Sequence, residues 1–501
     1  MDWRAPFRKA KPPQAQESCG RLPQRLLEAI APLMGDRRPE VPETFLPTTN
    51  ASDLGAIDQR LRACTSTAYA TWAADTLQCI LTCPMTDDAR QSLLFVASAH
   101  YDGRERQKAV ARLGAFPGYL SLVAALIRCA DWVPQVRIAA REAATQLLRT
   151  STADDALAAW PMVLRLQRWV RVSDGWLEEN VEQWMLEASN RDVLQRARAA
   201  ADPVVRAWAY RRSIERGAAP LHVEATMQPD PRIGLHALRH AQATCASAAI
   251  AAIATAGLHA PHPAVRRECL RTLALADPAA AAAALPHALL DRAAGVRRLA
   301  AYLTREHGAD PRTVWRRALD QAGTDGALAS LAQEAEPEDA TRLRCYLFAT
   351  RAAMRQHALK GLLRIGQTVS PNDIGRLLQC GGGRVLETLA VAVRDSAIAL
   401  DTPLILHILG DAAVDDEGRA RLRKLVGTSS LWDCLTRLLA LPADSNRPWW
   451  LAAVDDWIGR SETYTPLGNL RKRTLLEAAA ERAGELGPER TAKIRAALLR
   501  Y

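Results

Sequence analysis

The sequence predicts an all-α protein, a right-handed α-solenoid of about ten to twelve stacked helix pairs, and three observations carry that expectation. The first is composition. Ala and Leu dominate the 501 residues, aromatic residues supply only 5%, and β-branched residues are sparse, so intrinsic preference is helical. The second is a recurrent phrase, a turn followed by an Arg with a small residue three positions on. It stands as "YDGRERQKAVARLG" from 101, "DWVPQVRIAAREAATQLL" from 131, "DPVVRAWAYRRSI" from 202, "PHPAVRRECLRTLA" from 261 and "DRAAGVRRLAAYL" from 291. The third is spacing. The phase mark falls at Arg106, Arg137, Arg206, Gly234, Arg266, Arg297 and Arg355, with weaker matches near Arg171, Gly326, Glu387, Arg419 and Leu451. Successive gaps are then about 28 to 35 residues, a period that means stacked helical units.

Residues 1–50 carry eight prolines and are expected to form a partly extended arm with one short helix, "RLPQRLLEAIAPLM". Residues 51–100, with two helices but no phase mark, are expected to cap the array that occupies 101–460. In its clearest unit, "GYLSLVAALIRC" from 118 reads as a first helix, apolar because neighbours cover it. Asp131 then sits where an N-cap belongs and Pro134 where a first-turn proline is tolerated, so a second helix is expected to about Arg149, packing through Ala140, Leu147 and Leu148. Asp202-Pro203, Pro229-Asp230-Pro231 and His262-Pro263 repeat that punctuation. "AAAAAALPHALL" from 279 reads as a helix interrupted or restarted at Pro286. "CGGGRV" from 380 reads as an inter-helix turn. A phosphate loop would need a preceding strand and a following Gly-Lys-Ser/Thr, and neither is present. Residues 461–501 read as two amphipathic, charged helices closing the other end, since a solenoid needs polar outer faces on its terminal units.

With "VPQVRIAA", "PVVRAWA" and "PAVRREC" in place, the chain resembles the HEAT-repeat family over about 101–460. The resemblance implies an α-solenoid, and it implies that Arg106, Arg137, Arg206, Arg266 and Arg297 form a structural ladder, each pairing with an Asp of an adjacent unit. About function it says little, because one fold hosts many activities.

Net charge is +10, with 58 Arg against 7 Lys, which permits weak attraction to nucleic acid or acidic proteins without selecting either. The ten cysteines are scattered and form no Cys-x-x-Cys pair, as buried, reduced thiols of a cytoplasmic protein would be. Cys79 and Cys83 lie one turn apart, with no His or second Cys pair to complete a zinc site. The opening "MDWRAPFRKAKPPQAQ" is charged where a secretory leader would be apolar, and no apolar run is long enough to span a membrane.

Candidate binding residues gather in "WPMVLRLQRWVRVSDGWLEENVEQWML" from 160, where four of the 13 tryptophans stand. On a helix from Asp174, Trp176 and Trp184 would share a face as a core stripe. The same stretch offers a recognition surface of Trp169, Trp176, Arg165, Arg168, Arg171 and Asp174. In residue types, though not in motif, it resembles HEAT-like alkylpurine DNA glycosylases, and no catalytic residue carries over. Trp132 is the other candidate, because stacking does not require a Trp at a repeat turn. His236 and His240 are one turn apart without an evident carboxylate partner, and the His-Glu dipeptides of HEAT-type deoxyhypusine hydroxylase do not occur. The expectation is a non-enzymatic, cytoplasmic scaffold or adaptor with a protein partner, and with no cofactor, metal, membrane insertion or small-molecule substrate. The alternative is a nucleic-acid-binding solenoid, with Arg165, Arg168, Arg211, Arg212, Arg267 and Arg298 gathered on its concave side.

Overall fold

The computed structural model describes residues 46, 50–63, 77, 81, 86–169, 172, 175–217, 221–321, 323–462 and 466–500. Most of the Pro-rich arm, its expected short helix, and Cys19, Cys64, Cys79, Cys83, Arg171 and Asp174 therefore lie outside the described residues. The described residues are helices and turns, with no strand among them, and none of the helices is long and apolar enough to cross a membrane.

The chain divides into two compact units, one reaching Ala243 and one starting at Thr244. The first holds α1 (Ala51–Ala63), α2 (Asp87–Ser98), α3 (Gly103–Leu113), α4 (Tyr119–Arg128), α5 (Pro134–Thr150) and α6 (Ala153–Leu166). A π-helix (Leu177–Glu182) then runs into α7 (Gln183–Leu186), followed by α8 (Arg191–Arg198), α9 (Pro203–Glu215), α10 (Leu221–Thr226) and α11 (Pro231–Thr244). Helix α3 packs on α2 and α5, α4 on α5 and α6, and α6 on α1, so each helix covers the apolar stripe of the next. One continuous core runs from Leu46 to Ala209, and a smaller one joins α9, α10 and α11.

The second unit holds α12 (Ser247–Gly257), α13 (Pro263–Ala276), α14 (Pro278–Ala288), α15 (Ala294–Glu306), α16 (Pro311–Gln321), α17 (Asp325–Glu334), α18 (Ala340–Cys345) and α19 (Ala352–Arg364). It continues with α20 (Pro371–Cys380), α21 (Gly382–Arg394), α22 (Thr402–Gly410), α23 (Asp416–Val426), α24 (Leu431–Ala440), α25 (Arg447–Ile458), α26 (Asn469–Glu481), α27 (Ala483–Leu486) and α28 (Pro488–Leu499). One core extends from Leu270 to Leu498. Buried tryptophans anchor it with their indole N–H groups satisfied: Trp315 donates to Leu289 O, Trp450 to Leu438 O and Trp457 to Leu431 O, at 2.7 to 3.0 Å.

Local chemistry starts the helices. Asp202, His262, Ser370 and Asp401 each cap a helix whose first turn contains Pro. Asp131 departs from the expected role. The residue flanking α5 is Val133, which makes no side-chain cap, and Asp131 accepts the Val133 N–H at 3.0 Å from outside the helix. Nor does Pro286 break its helix; it sits in the last turn of an unbroken α14, close enough to the end that few interior hydrogen bonds are lost. Cys129, Cys269 and Cys434 are buried, whereas Cys345 and Cys380 are exposed because they end helices rather than face a core.

The phase-mark arginines share one device. Each sends its Nη1 back to the carbonyls five and six residues earlier, where the preceding helix has ended and its last C=O groups lack partners. Arg106 reaches His100 O and Tyr101 O; Arg206, Ala200 O and Ala201 O; Arg266, Ala260 O and Pro261 O; Arg297, Asp291 O and Arg292 O; Arg355, Ala349 O and Thr350 O. Arg137 reaches Asp131 O alone. The other edge of the guanidinium varies. Arg106 and Arg266 each form a two-pronged pair with the Asp 25 residues on, Asp131 and Asp291, at 2.7 to 2.9 Å. Arg297 instead donates to Ser330 Oγ at 2.8 Å, and Arg355 to Cys380 O. At position 326 the phase mark is a Gly; a Cβ there would stand 3.0 Å from Asp291 O and 3.2 Å from Leu290 O, so α17 approaches the preceding turn too closely for a side chain.

The deepest of these knots is in the first unit. Arg106 and Asp131 are each 1% exposed, and Arg128, equally buried, pairs with both Asp131 and Asp58 of α1. Four charges thus tie α1, α3, the end of α4 and the turn before α5. Burial pushes the Asp131 carboxyl up, but hydrogen bonds from Arg106 and Val133 and the charges of Arg106 and Arg128 outweigh it and hold the group below the usual carboxylate range. A carboxyl so depressed stabilises the fold above its unfolded pKa, and the contribution is lost as pH falls through the folded value. Replacing Asp131 with Asn should lower unfolding free energy by about 3–5 kcal/mol at neutral pH, since it leaves two buried guanidinium groups undercompensated. Urea titrations should show the gap between the two proteins narrowing as pH drops below about 4; a gap that stays constant to lower pH would remove the charge from the explanation.

Candidate functional site

The residues singled out as candidates all belong to the first unit, and the structure separates them into a turn edge and a groove. At the edge, Trp132 is 60% exposed, with the Arg106 guanidinium 5.8 Å from its ring centroid. Tyr101, which the sequence reading passed over, is its counterpart. It lies five residues before Arg106 as Trp132 lies five before Arg137, and it is 61% exposed. Arg106 links the two, its Nη1 held by the Tyr101 carbonyl and its plane toward Trp132. The shared offset was a readable signal, visible once the two units are aligned on their arginines.

In the groove, Trp176 is half-buried against the first core and faces Arg141 of α5, whose guanidinium is 5.2 Å from the ring. Glu142, Thr145, Gln146 and Arg149 of α5 line the rest of an open space of about 550 Å³. Trp169 is also half-buried on that core, under Arg165 at 5.9 Å, and Arg168 is exposed. Trp176 and Trp184 do not lie on one regular α-helix as expected. The π-helix between them closes i→i+5 hydrogen bonds, and its wider turn alters the register on which a shared face depends.

What holds that segment is a residue the sequence reading missed. Glu182, 3% exposed, ends the π-helix and accepts from Gln167 Nε2 and Trp208 Nε1, both at 3.0 Å, and from Arg212 Nε. Trp208 in turn packs on the buried Trp160, ring centroids 4.8 Å apart and tilted by 51°. No sequence signal marked Glu182, because an exposed-looking "LEENVE" turns one carboxylate inward only when the helix widens.

Among the other basic candidates, Arg212 pairs with Glu182 and Glu215, and Arg211 is exposed. In the second unit, Arg267 of α13 and Arg298 of α15 are exposed at equivalent positions beside their phase marks, and Tyr302, one turn beyond Arg298, is also exposed. His240 Nδ1 faces His222 Nε2 at 3.1 Å, and His236 lies 3.9 Å from Glu215. Burial lowers the pKa of both His222 and His236. Among the described residues no three His, Cys, Asp or Glu side chains converge as a metal site would require.

One guanidinium per helix pair, bound to the carbonyls behind it and in two units to an Asp 25 residues ahead, is the recurring geometry of both units. The repeats are HEAT-like. No protein-family model matches the chain, and no curated protein does. Among solved structures, importin beta is similar at 11% identity over 95% of this chain and 66% of that one, with a TM-score of 0.40. Yeast importin-beta (Kap95p) is similar at 11% identity, 91% and 63% coverage and a TM-score of 0.22. An engineered protein is similar at 13% identity, 91% and 97% coverage and a TM-score of 0.17. The chain thus spans just under two thirds of the importin-beta chains.

If Glu182 organises the Trp-rich segment of these HEAT-like repeats, replacing it with Leu should strand the Trp208 and Arg212 donors. Stability should fall by about 2–4 kcal/mol, and tryptophan emission should shift to the red. An unchanged melting temperature and spectrum would show that the segment is held by packing alone.

Proposed function

We propose that this chain is a non-enzymatic binding protein whose first unit presents the turn edge around Tyr101 and Trp132 to a protein partner. The supporting observation is that two large aromatic side chains, 31 residues apart in equivalent turns, both stand mostly in solvent although neither is needed for stacking. Their backbone is fixed by Arg106 and Asp131, so the rings are held on a rigid support, as interaction residues on loops usually are. Aromatic side chains on such a support suit protein contacts, where Trp and Tyr contribute large area at small entropic cost. The cytoplasm is the expected setting for this reading.

Arg267, Arg298 and Tyr302 favour a second reading for the second unit, namely single-stranded nucleic acid, whose phosphates would meet the guanidinium groups and whose bases would stack on the ring. Low-salt gel shifts decide it: binding lost in an Arg267→Ala/Arg298→Ala variant and weakened steeply by salt is the expected result, and no shift ends the reading.

For the protein-binding reading, the test is affinity capture from the native host with the parent chain and with Tyr101→Ala/Trp132→Ala. Each truncation should cost about 1–2 kcal/mol of binding, so the double variant should lose captured partners by tenfold or more at an unchanged melting temperature. Equal recovery of the same partners on both baits would refute it.

A further inference from the structure

A cleft of about 590 Å³ in the first unit belongs neither to the arginine ladder nor to the aromatic edge. It is bordered by α8, the end of α9 and the start of α10. One wall is apolar, formed by Leu186, Leu194 and Leu221; the other carries Arg191, Arg198 and Arg216, with Glu187 the only acidic lining residue.

These three arginines differ from their neighbours. On the same helices Arg196 pairs with Asp154, Arg206 binds carbonyls and Arg212 pairs with Glu182 and Glu215. Arg191, Arg198 and Arg216 have no carboxylate partner among the described residues. The Arg198 Nε–H is buried and has no acceptor there. Buried guanidinium donors are rarely left so. The Arg198 side chain is nevertheless positioned, its guanidinium 5.9 Å from the centroid of Tyr210, whose hydroxyl donates to Glu224 at 2.5 Å. A concave surface lined mainly by one sign of charge concentrates counter-ions, and the planar guanidinium fork matches phosphate oxygens in pairs.

The geometry points to a binding site for a phosphate-bearing small molecule of about nucleotide size, its phosphate on Arg191, Arg198 and Arg216 and its uncharged part on the three leucines. The volume is that of small-ligand sites. Three arginines against one glutamate leave an excess of two positive charges, which suits a phosphomonoester, dianionic above about pH 6.

Calorimetric titration of the full chain with AMP, inorganic phosphate and adenosine tests this. AMP should bind with Kd on the order of 0.1 mM or tighter, more tightly than inorganic phosphate, and adenosine should not bind. Binding should weaken with added salt and as pH falls below about 6, where the phosphate gains a proton. Arg216→Ala, an exposed change that leaves the core intact, and Arg198→Ala should each lower AMP affinity about tenfold, whereas Arg196→Ala, outside the cleft, should not alter it. The assignment is overturned if AMP fails to bind at about 1 mM, if adenosine binds as well as AMP, or if the Arg198→Ala/Arg216→Ala protein binds AMP like the parent.

Discussion

A guanidinium laid across the break between two helices is the contact on which the rest of this chain depends. Every helix ends with carbonyls that its own turns cannot satisfy, and a stack of short hairpins buries such ends again and again. An arginine six residues into the following helix reaches back over the turn and takes two of those carbonyls with one nitrogen. It turns a liability of the architecture into a fixed angle between consecutive helices. Because the side chain is planar and branched, it still has a second edge, and that edge can reach the next unit.

The two edges carry different obligations. The carbonyl contacts are made by backbone atoms and so tolerate almost any sequence in the turn: His-Tyr, Ala-Ala, Ala-Pro, Asp-Arg and Ala-Thr all serve. The outer edge needs a particular acceptor, and the chain meets that need with Asp, Ser or a main-chain oxygen. Buried charge is costly unless paired, so the doubly ionic version is confined to two places, and only at Arg106 does it grow into a four-charge knot with Arg128, Asp131 and Asp58.

The fold was legible because its signals are local and repeated. The phase mark, the small residue three positions on and the Asp-Pro or His-Pro turn each state one requirement of a hairpin, and repetition let weak matches support strong ones. Asp131 was misplaced for an instructive reason: a carboxylate two residues before a helix reads as a cap, and only the packing of α3 shows that two arginines claim it first. The Trp-rich stretch resisted reading because burial there is decided by a change of helical register, which no periodicity reports. Tyr101 was hidden by comparison of a different kind. It looks ordinary alone and acquires meaning only beside Trp132 in the next unit.

The π-helix from Leu177 to Glu182 has a bearing on how such a chain can vary. A wider turn houses one more residue than an ordinary one over nearly the same rise, so it can absorb a single-residue difference in length that would otherwise rotate everything after it. Downstream of it, α9 still presents Arg206 to the turn behind it and Trp208 to Glu182. A repeat protein with such a compensator can gain or lose a residue in one unit during descent while the units beyond keep their meshing.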